Sequence, residues 1–181
     1  MAFPTETFYG LGADALNHEA VARVFRVKGR PAEKPLLVLV DSLAMVAAVA
    51  LEIPPRARRL MERYWPGPLT IILPARPEVP AALTAGTGTV GARIPSHPLA
   101  LALVQAVGGP VTAPSANPHG APSPTTAIEV WAALGDRIDF VLDGGPTPGG
   151  LPSTLVDASS APVRVVRPGA IALAPGDLAD V

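Results

Sequence analysis

The 181-residue chain contains no cysteine at all, which excludes disulfides, thiolate metal sites and a cysteine nucleophile together. It carries almost no excess charge: the formal net charge is −1, so composition gives no support for bulk electrostatic binding to nucleic acid or to an anionic membrane. No apolar run approaches the ~18–20 residues of a membrane span, and no signal peptide is visible; a cytoplasmic protein that touches no membrane is expected. The three histidines, His18, His97 and His119, lack ligand spacing and are accompanied by no carboxylate cluster, so each reads as helix-terminal or loop surface and no protein-held metal is expected. A Walker A loop and a Ser-His-Asp constellation are also missing. "GTGTVG" (Gly86 to Gly91) matches G-x-G-x-x-G literally, but Pro95 follows closely, no helix opens at Gly91 and no acid lies about 20 residues on. It reads as a glycine-rich turn entering a strand.

What is present is the material of a core. Apolar residues make up 49% of the sequence, and the 23 prolines and 17 glycines fall between apolar runs as loop punctuation rather than in one tract. No repeat and no linker divides the chain, so one domain over residues 1–181 is expected. Phe3 looks like the end of a strand, leading into the loop Pro4 to Asp14. Asn17 is placed to cap a helix bearing Val21, Val24 and Phe25, ended by Gly29. "PLLVLV" (Pro35 to Val40) predicts a strand, and Asp41 a cap for a helix carrying Leu43, Val46 and Val49. Pro54 and Pro55 open a helix with Arg56, Arg59 and Arg63 along one side, most simply a solvated face. "LTIIL" (Leu69 to Leu73) and "TVGARI" (Thr89 to Ile94) predict strands. The helix in "SHPLALALVQAVGG" has Pro98 in its first turn and Gly108 past its end. "VTA" (Val111 to Ala113) runs into "PSANPHGAPSP". Thr126 and Glu129 spell a capping box for a helix to Leu134, and "FVL", "STLVD" and "VRVV" predict closing strands. Strands and helices mixed without strict alternation indicate an α/β domain on a twisted mixed sheet.

Four stretches carry chemistry, each with a bland alternative. "VKGRPAEKPL" places Lys28, Arg30 and Lys34 in one loop, either facing water or clamping polyphosphate, with Arg30 offering a bidentate fork and the lysines point charges. Arg93 lies inside an apolar strand; it either ends the strand at solvent or points into a cleft towards a carboxylate or phosphate. "PSAN" offers the Ser115 hydroxyl, the Asn117 amide and free backbone N–H groups at a strand end, as a ligand loop or as a capped turn. Arg167, before Pro168-Gly169, is one more basic residue at a strand end.

"FPTETFYGLGADA", "KGRPAEKPL", "WPGPLTIIL", "GTVGARIP", "APSANPHGAPSPTTA" and "DGGPTPGGLPSTLVD…VRPGAI" occur in that order. Together, from Ala2 to about Ile171, they closely resemble the YrdC-like family of threonylcarbamoyl-adenylate synthases. The resemblance implies an open twisted mixed sheet flanked by helices, with a concave basic face. It also implies an enzyme that joins L-threonine, bicarbonate (or carbon dioxide) and ATP into threonylcarbamoyl-AMP and pyrophosphate, with Mg²⁺ on the ATP phosphates. Other proteins would then transfer the threonylcarbamoyl group to an adenosine of tRNA. Carried over position by position, Thr7, Arg93, the Ala113 backbone and Ser153 would form the threonine site. Arg30 and Lys34 would hold the nucleotide, Lys28 would support its phosphates, and Thr89, Ser115, Asn117, Ser123 and Arg167 would line the ATP site. No general base is named by the pattern.

The sequence departs from that pattern in places. Relatives usually carry a helix and the start of the first strand ahead of "FPTET", which makes the first strand look truncated here, and longer members carry a second C-terminal domain. Lys34 stands for a common asparagine, keeping a donor and adding charge. Leu39 stands where many relatives place a histidine near threonine. Rival readings are a YciO-like paralogue that binds nucleotide or RNA without making the adenylate, a carbamoyl-transfer domain like that of HypF, and a double-stranded RNA-binding module using the concave face.

Overall fold

The computed structural model describes residues 1–178. In chain order the elements are β1 (Ala2–Phe3), β2 (Gly10–Leu11), α1 (His18–Lys28), β3 (Leu37–Leu39), α2 (Leu43–Val46), α3 (Pro55–Tyr64), β4 (Leu69–Pro74), α4 (Ala81–Thr84) and β5 (Thr89–Arg93). There follow α5 (Pro98–Val107), β6 (Val111–Thr112), α6 (Ala127–Leu134), β7 (Thr154–Asp157) and β8 (Arg164–Arg167), with short 3₁₀ turns after α6 and near residue 175. Six strands form one mixed sheet in the order β6-β3-β5-β4-β7-β8. The β3–β5 and β4–β7 pairs are parallel, and the remaining neighbours antiparallel.

Local signals place most of these elements. The Asn17 side chain accepts from the Glu19 and Ala20 amides, and Gly29 closes α1 in the left-handed region at φ 59°. Thr126 and Glu129 exchange both bonds of the capping box on α6. Gly86 and Gly88 take φ 70°, so "GTGTVG" is a turn feeding β5, as its context predicted. The core is a large apolar cluster with a smaller one beside it. Val38 and Val40 of the β3 segment, Leu69, Ile71 and Leu73 of β4, and Leu60 and Met61 of α3 are fully or nearly fully buried. A smaller cluster, Phe3, Leu39, Ala100, Val104, Val111 and Ala113, brings α5 residues together with residues of β1, β3 and β6.

Three expectations are corrected. "FVL" is no strand: Val141 makes a lone bridge to Ala2, and the backbone bonds Ala2 N–H to Phe140 O and Leu142 N–H to Ala2 O are all that pair it. β1 is two residues long, so the partner has no ladder to join. The α2 cap is Ser42, whose hydroxyl accepts from the Met45 amide; Asp41 instead accepts from the Ser42 hydroxyl, and the helix stops at Val46 before Val49. The arginine face of α3 is partly engaged, with Arg56 donating to the carbonyls of Ala158 and Ser159 and Arg63 paired with Asp177 at 2.7 Å.

The loop after β1 is held where a site can form. Residues 9–14 run beside residues 111–116: Leu11 N–H donates to Pro114 O, Ala116 N–H to Tyr9 O, and Thr112 N–H to Ala13 O. The "FPTETFYG" loop and the "PSAN" loop are thereby fixed to each other by main-chain bonds, which buried backbone requires.

Candidate active site

One cavity of about 620 Å³ lies against the sheet, floored by Leu37, Ile72, Gly91 and Leu155. Its walls are the β1–β2 loop, the Arg30–Leu36 segment, the Ala113–Ser123 loop, and the Ser153 and Arg167 region. Gly91 keeps the floor open: a Cβ there would meet the Thr70 methyl at 3.2 Å. Gly169 lets the chain after β8 lie on the Pro152 and Ser153 backbone, where a Cβ would collide with main-chain atoms.

Of the residues predicted for a site, Thr7, Arg30, Arg93, Ala113, Ser115, Ser123, Ser153 and Arg167 all line this cavity. They come from loops and strand ends far apart in sequence, so the fold itself collects them. Thr7 is buried, its hydroxyl 3.1 Å from that of Thr5, which donates to Phe8 O. Ser153 is joined to Thr70 hydroxyl-to-hydroxyl at 2.9 Å, and Arg167 Nη2 donates to the Ser153 carbonyl at 2.8 Å. Arg30 donates to the carbonyls of Lys34 and Pro35, which braces its guanidinium on its own loop.

The other predicted residues, Lys28, Lys34, Thr89 and Asn117, do not line the cavity. Lys28 is buried, and its ammonium donates to the Ser115 and Asn117 carbonyls, tying the end of α1 to the "PSAN" loop. Burial, and then the Arg30 charge, push the Lys28 ammonium down to about 8. Asn117 is spent in the same loop, its amide donating to the carbonyls of Pro118 and Ala121. Lys34 is exposed with its Nζ 3.1 Å from His119 Nε2, and Thr89 shares a hydroxyl contact with Thr87 at the entry to β5. Leu39 is fully buried in the smaller core cluster.

Electrostatics set the character of the cavity. Burial is the main force lowering the Arg30 and Arg167 guanidiniums from the ordinary arginine value, and the Arg167 charge also lowers Arg30 and Arg93. The cations are therefore close enough to repel, which a bound polyanion would relieve. Arg93 is 2% exposed and lies 3.0 Å from Glu6, a residue that sequence reading missed. The signal was available, because an arginine in an apolar strand demands an acid, and Glu6 in "FPTETF" is the acid in a loop expected at a ligand. Among the described residues no group of three or more His, Asp or Glu side chains could hold a metal ion, and no helix is long and apolar enough to cross a membrane.

The fold and cavity define a class: an α/β domain whose strand ends and flanking loops line one pocket carrying three arginines. The Sua5/YciO/YrdC family model, described as "Telomere recombination", matches residues 1–169, and the chain belongs to that family. It is similar to the threonylcarbamoyl-AMP synthase of Pyrococcus abyssi (strain GE5 / Orsay), with 46% identity over 96% of this chain and 51% of that protein. The crystal structure of P. abyssi Sua5 complexed with L-threonine matches with a TM-score of 0.90 and 46% identity, covering 93% of this chain and 49% of that one. The crystal structure of Escherichia coli YciO matches with a TM-score of 0.83 and 29% identity, over 93% of this chain and 82% of that one. The chain spans about half the length of the first curated relatives it matches.

Proposed function

We propose that this chain is a threonylcarbamoyl-AMP synthase domain. The observation that carries the reading is the convergence of Arg30, Arg93 and Arg167 on one cavity, with the hydroxyls of Thr7, Ser115, Ser123 and Ser153 between them. A site that must bring a carbamate anion to the α-phosphate of ATP needs cations and donors from several directions, and no nucleophilic side chain. The amine of threonine adds to carbon dioxide and releases a proton. A carbamate oxygen then attacks the α-phosphorus, and the bond to the pyrophosphate oxygen breaks.

In this assignment Arg93 takes the threonine carboxylate, with Thr7, the Ala113 backbone and Ser153 around the rest of the amino acid. Arg30 and Arg167 face the triphosphate with Ser115 and Ser123. Lys28 acts through the loop it holds, and Lys34, Thr89 and Asn117 border the nucleotide end. The residues suit Mg²⁺ that arrives on the ATP phosphates, because the cavity lining offers cations rather than a carboxylate cage. The product would pass to proteins that modify tRNA. A buried Arg93 lining a cavity favours a small-molecule site over an RNA-binding face.

The test is pyrophosphate release from Mg-ATP, with threonine and bicarbonate each omitted in turn. Release that requires both supports the synthase. Nucleotide binding with no release under any combination assigns the domain to the YciO-like alternative.

A further inference from the structure

The three cavity arginines are not equivalent. Among the described residues Glu6 is the one carboxylate paired with any of them, and its partner is Arg93. Among the described residues Arg30 and Arg167 donate to backbone carbonyls and the Ser153 hydroxyl and pair with no carboxylate. The Glu6–Arg93 contact is also unusual as a structural ion pair. Both side chains are largely buried, at 12% and 3% exposure, and Glu6 Oε1 is 3.0 Å from Arg93 Nη1. Yet among the described residues neither Glu6 oxygen nor Arg93 Nε has a hydrogen-bond partner. Buried pairs that serve stability alone are completed by further bonds, because an incomplete one seldom recovers its desolvation cost. Glu6 lies between Thr5 and Thr7, both of which line the cavity, so the acid is carried by the ligand loop itself.

We propose that Glu6 is a specificity-determining positioning residue that divides the cavity by charge. It makes the Arg93 end nearly neutral, fit for the head group of a zwitterionic amino acid, and leaves the Arg30–Arg167 end positive for the triphosphate. Without Glu6, three uncompensated guanidiniums would line one cavity, and phosphate oxygens would compete for Arg93 with the carboxylate it is meant to hold. An Arg fork accepts phosphate and carboxylate with similar geometry, so shape alone does not separate them; the local charge does. The device is one of exclusion, set against the wrong occupant rather than for the right one.

The inference rests on the proposed amino-acid and ATP sites, and its test is chosen to fail separately from them. Inorganic tripolyphosphate, which has neither base nor sugar, is titrated by calorimetry into the intact chain, into Glu6→Gln, and into the double variant Glu6→Gln/Arg93→Gln. Stoichiometry should rise from about one in the unmodified chain to about two in Glu6→Gln, and return to about one in the double variant. In Glu6→Gln, threonine should displace only the second tripolyphosphate, and rising Mg-ATP should raise the apparent KM for threonine without changing kcat. A merely structural role for Glu6 would alter neither stoichiometry nor that competition. Equal stoichiometry in the unmodified chain and Glu6→Gln overturns the proposal. Should Glu6→Gln fail to fold, the unmodified protein still decides: tripolyphosphate that displaces bound threonine from it overturns the proposal, and tripolyphosphate that leaves threonine in place supports it. The nucleotide reading is judged from the unmodified chain alone, since absence of any tripolyphosphate binding there counts against ATP and not against a difference between the two proteins.

Discussion

The two sides of the cavity are built from different material. On one side Arg93 and Ser153 come from, or directly adjoin, central strands of the sheet, and both are buried, at 2% and 4% exposure. On the other side Arg30, Ser115 and Ser123 sit on loops, held by main-chain bonds to residues 9–13 and by Lys28, which reaches from the last turn of α1 to two carbonyls of the "PSAN" segment. The strand side is rigid because the sheet is. The loop side is held by bonds between loops and by one buried ammonium. In the proposed assignment, a preformed amino-acid end is thus combined with a nucleotide end whose geometry leans on a strut.

The largest effect should come from breaking the strand side. Arg93→Ala leaves Glu6 as a buried charge with no partner, which is expected to cost about 3–5 kcal/mol of stability by denaturant unfolding. Pyrophosphate release dependent on threonine should vanish with it. The double variant Glu6→Gln/Arg93→Gln should regain most of the stability and none of the activity. That outcome separates the fold's need for neutrality from the ligand's need for Arg93.

Lys28→Met should rank next. It removes charge-assisted bonds to the Ser115 and Asn117 carbonyls while keeping the apolar stem, for a loss of about 2–3 kcal/mol. Because the strut serves the loop side, KM for ATP should rise while threonine affinity changes little. There is a pH signature as well. The folded-state value for Lys28 is about 8, below the ordinary lysine value of 10.5, so between those values the unfolded chain holds a proton that the folded chain has released. Stability from this group therefore rises with pH across that window, and the rise should be absent from Lys28→Met. Arg30→Ala, two residues further on, should sharpen the comparison. Its bonds reach only its own loop, so stability should shift by less than about 1 kcal/mol. Losing a guanidinium from the phosphate end should raise KM for ATP about tenfold or more.

Lys28 and Arg30 also show where sequence reading stops. The stretch "VKGRPAEKPL" announces three charges in one loop, and nothing local says that one faces inward as a strut, one faces the cavity and one meets His119 outside. That allocation depends on Ser115, Asn117 and His119, about ninety positions downstream, and tertiary partners at such separations leave no periodicity to read. Most caps were legible because their partners lie within a turn, although the α2 cap falls on Ser42 and not on Asp41. Asn17, Gly29 and the Thr126–Glu129 box all stand where the chain signals them. The gathering of Thr7, Arg93, Ser115 and Ser153 was legible only through the ordered set of motifs, not through any one of them. "FVL" failed for a complementary reason: a short apolar run predicts a strand only if a partner of matching length exists, and β1 offers two residues.

The smallest effect tests whether elements remote from the cavity are independent of it. Thr126 accepts from the Glu129 amide, and Glu129 accepts in turn from the Thr125 and Thr126 backbone amides and the Thr125 hydroxyl. Thr126→Ala removes one arm and should cost about 1 kcal/mol by thermal or denaturant unfolding. The Thr125 and Thr126 donors hold the Glu129 carboxyl below the ordinary carboxylate value. The sign follows: a lowered folded-state value means that the contribution is present above the ordinary carboxylate value and is lost as pH falls through the lowered one. The stability difference between Thr126→Ala and the unmodified chain should therefore narrow in acid, where the protonated Glu129 accepts poorly. KM for ATP and for threonine should match the unmodified chain at neutral pH. A change in either would mean that α6 is coupled to the cavity through Thr125 and the Ser123–Pro124 segment, whose Pro124 carbonyl accepts from the Tyr9 amide in the cavity wall. The loop side would then depend on the α6 cap as well as on the Lys28 strut and the main-chain bonds between its loops.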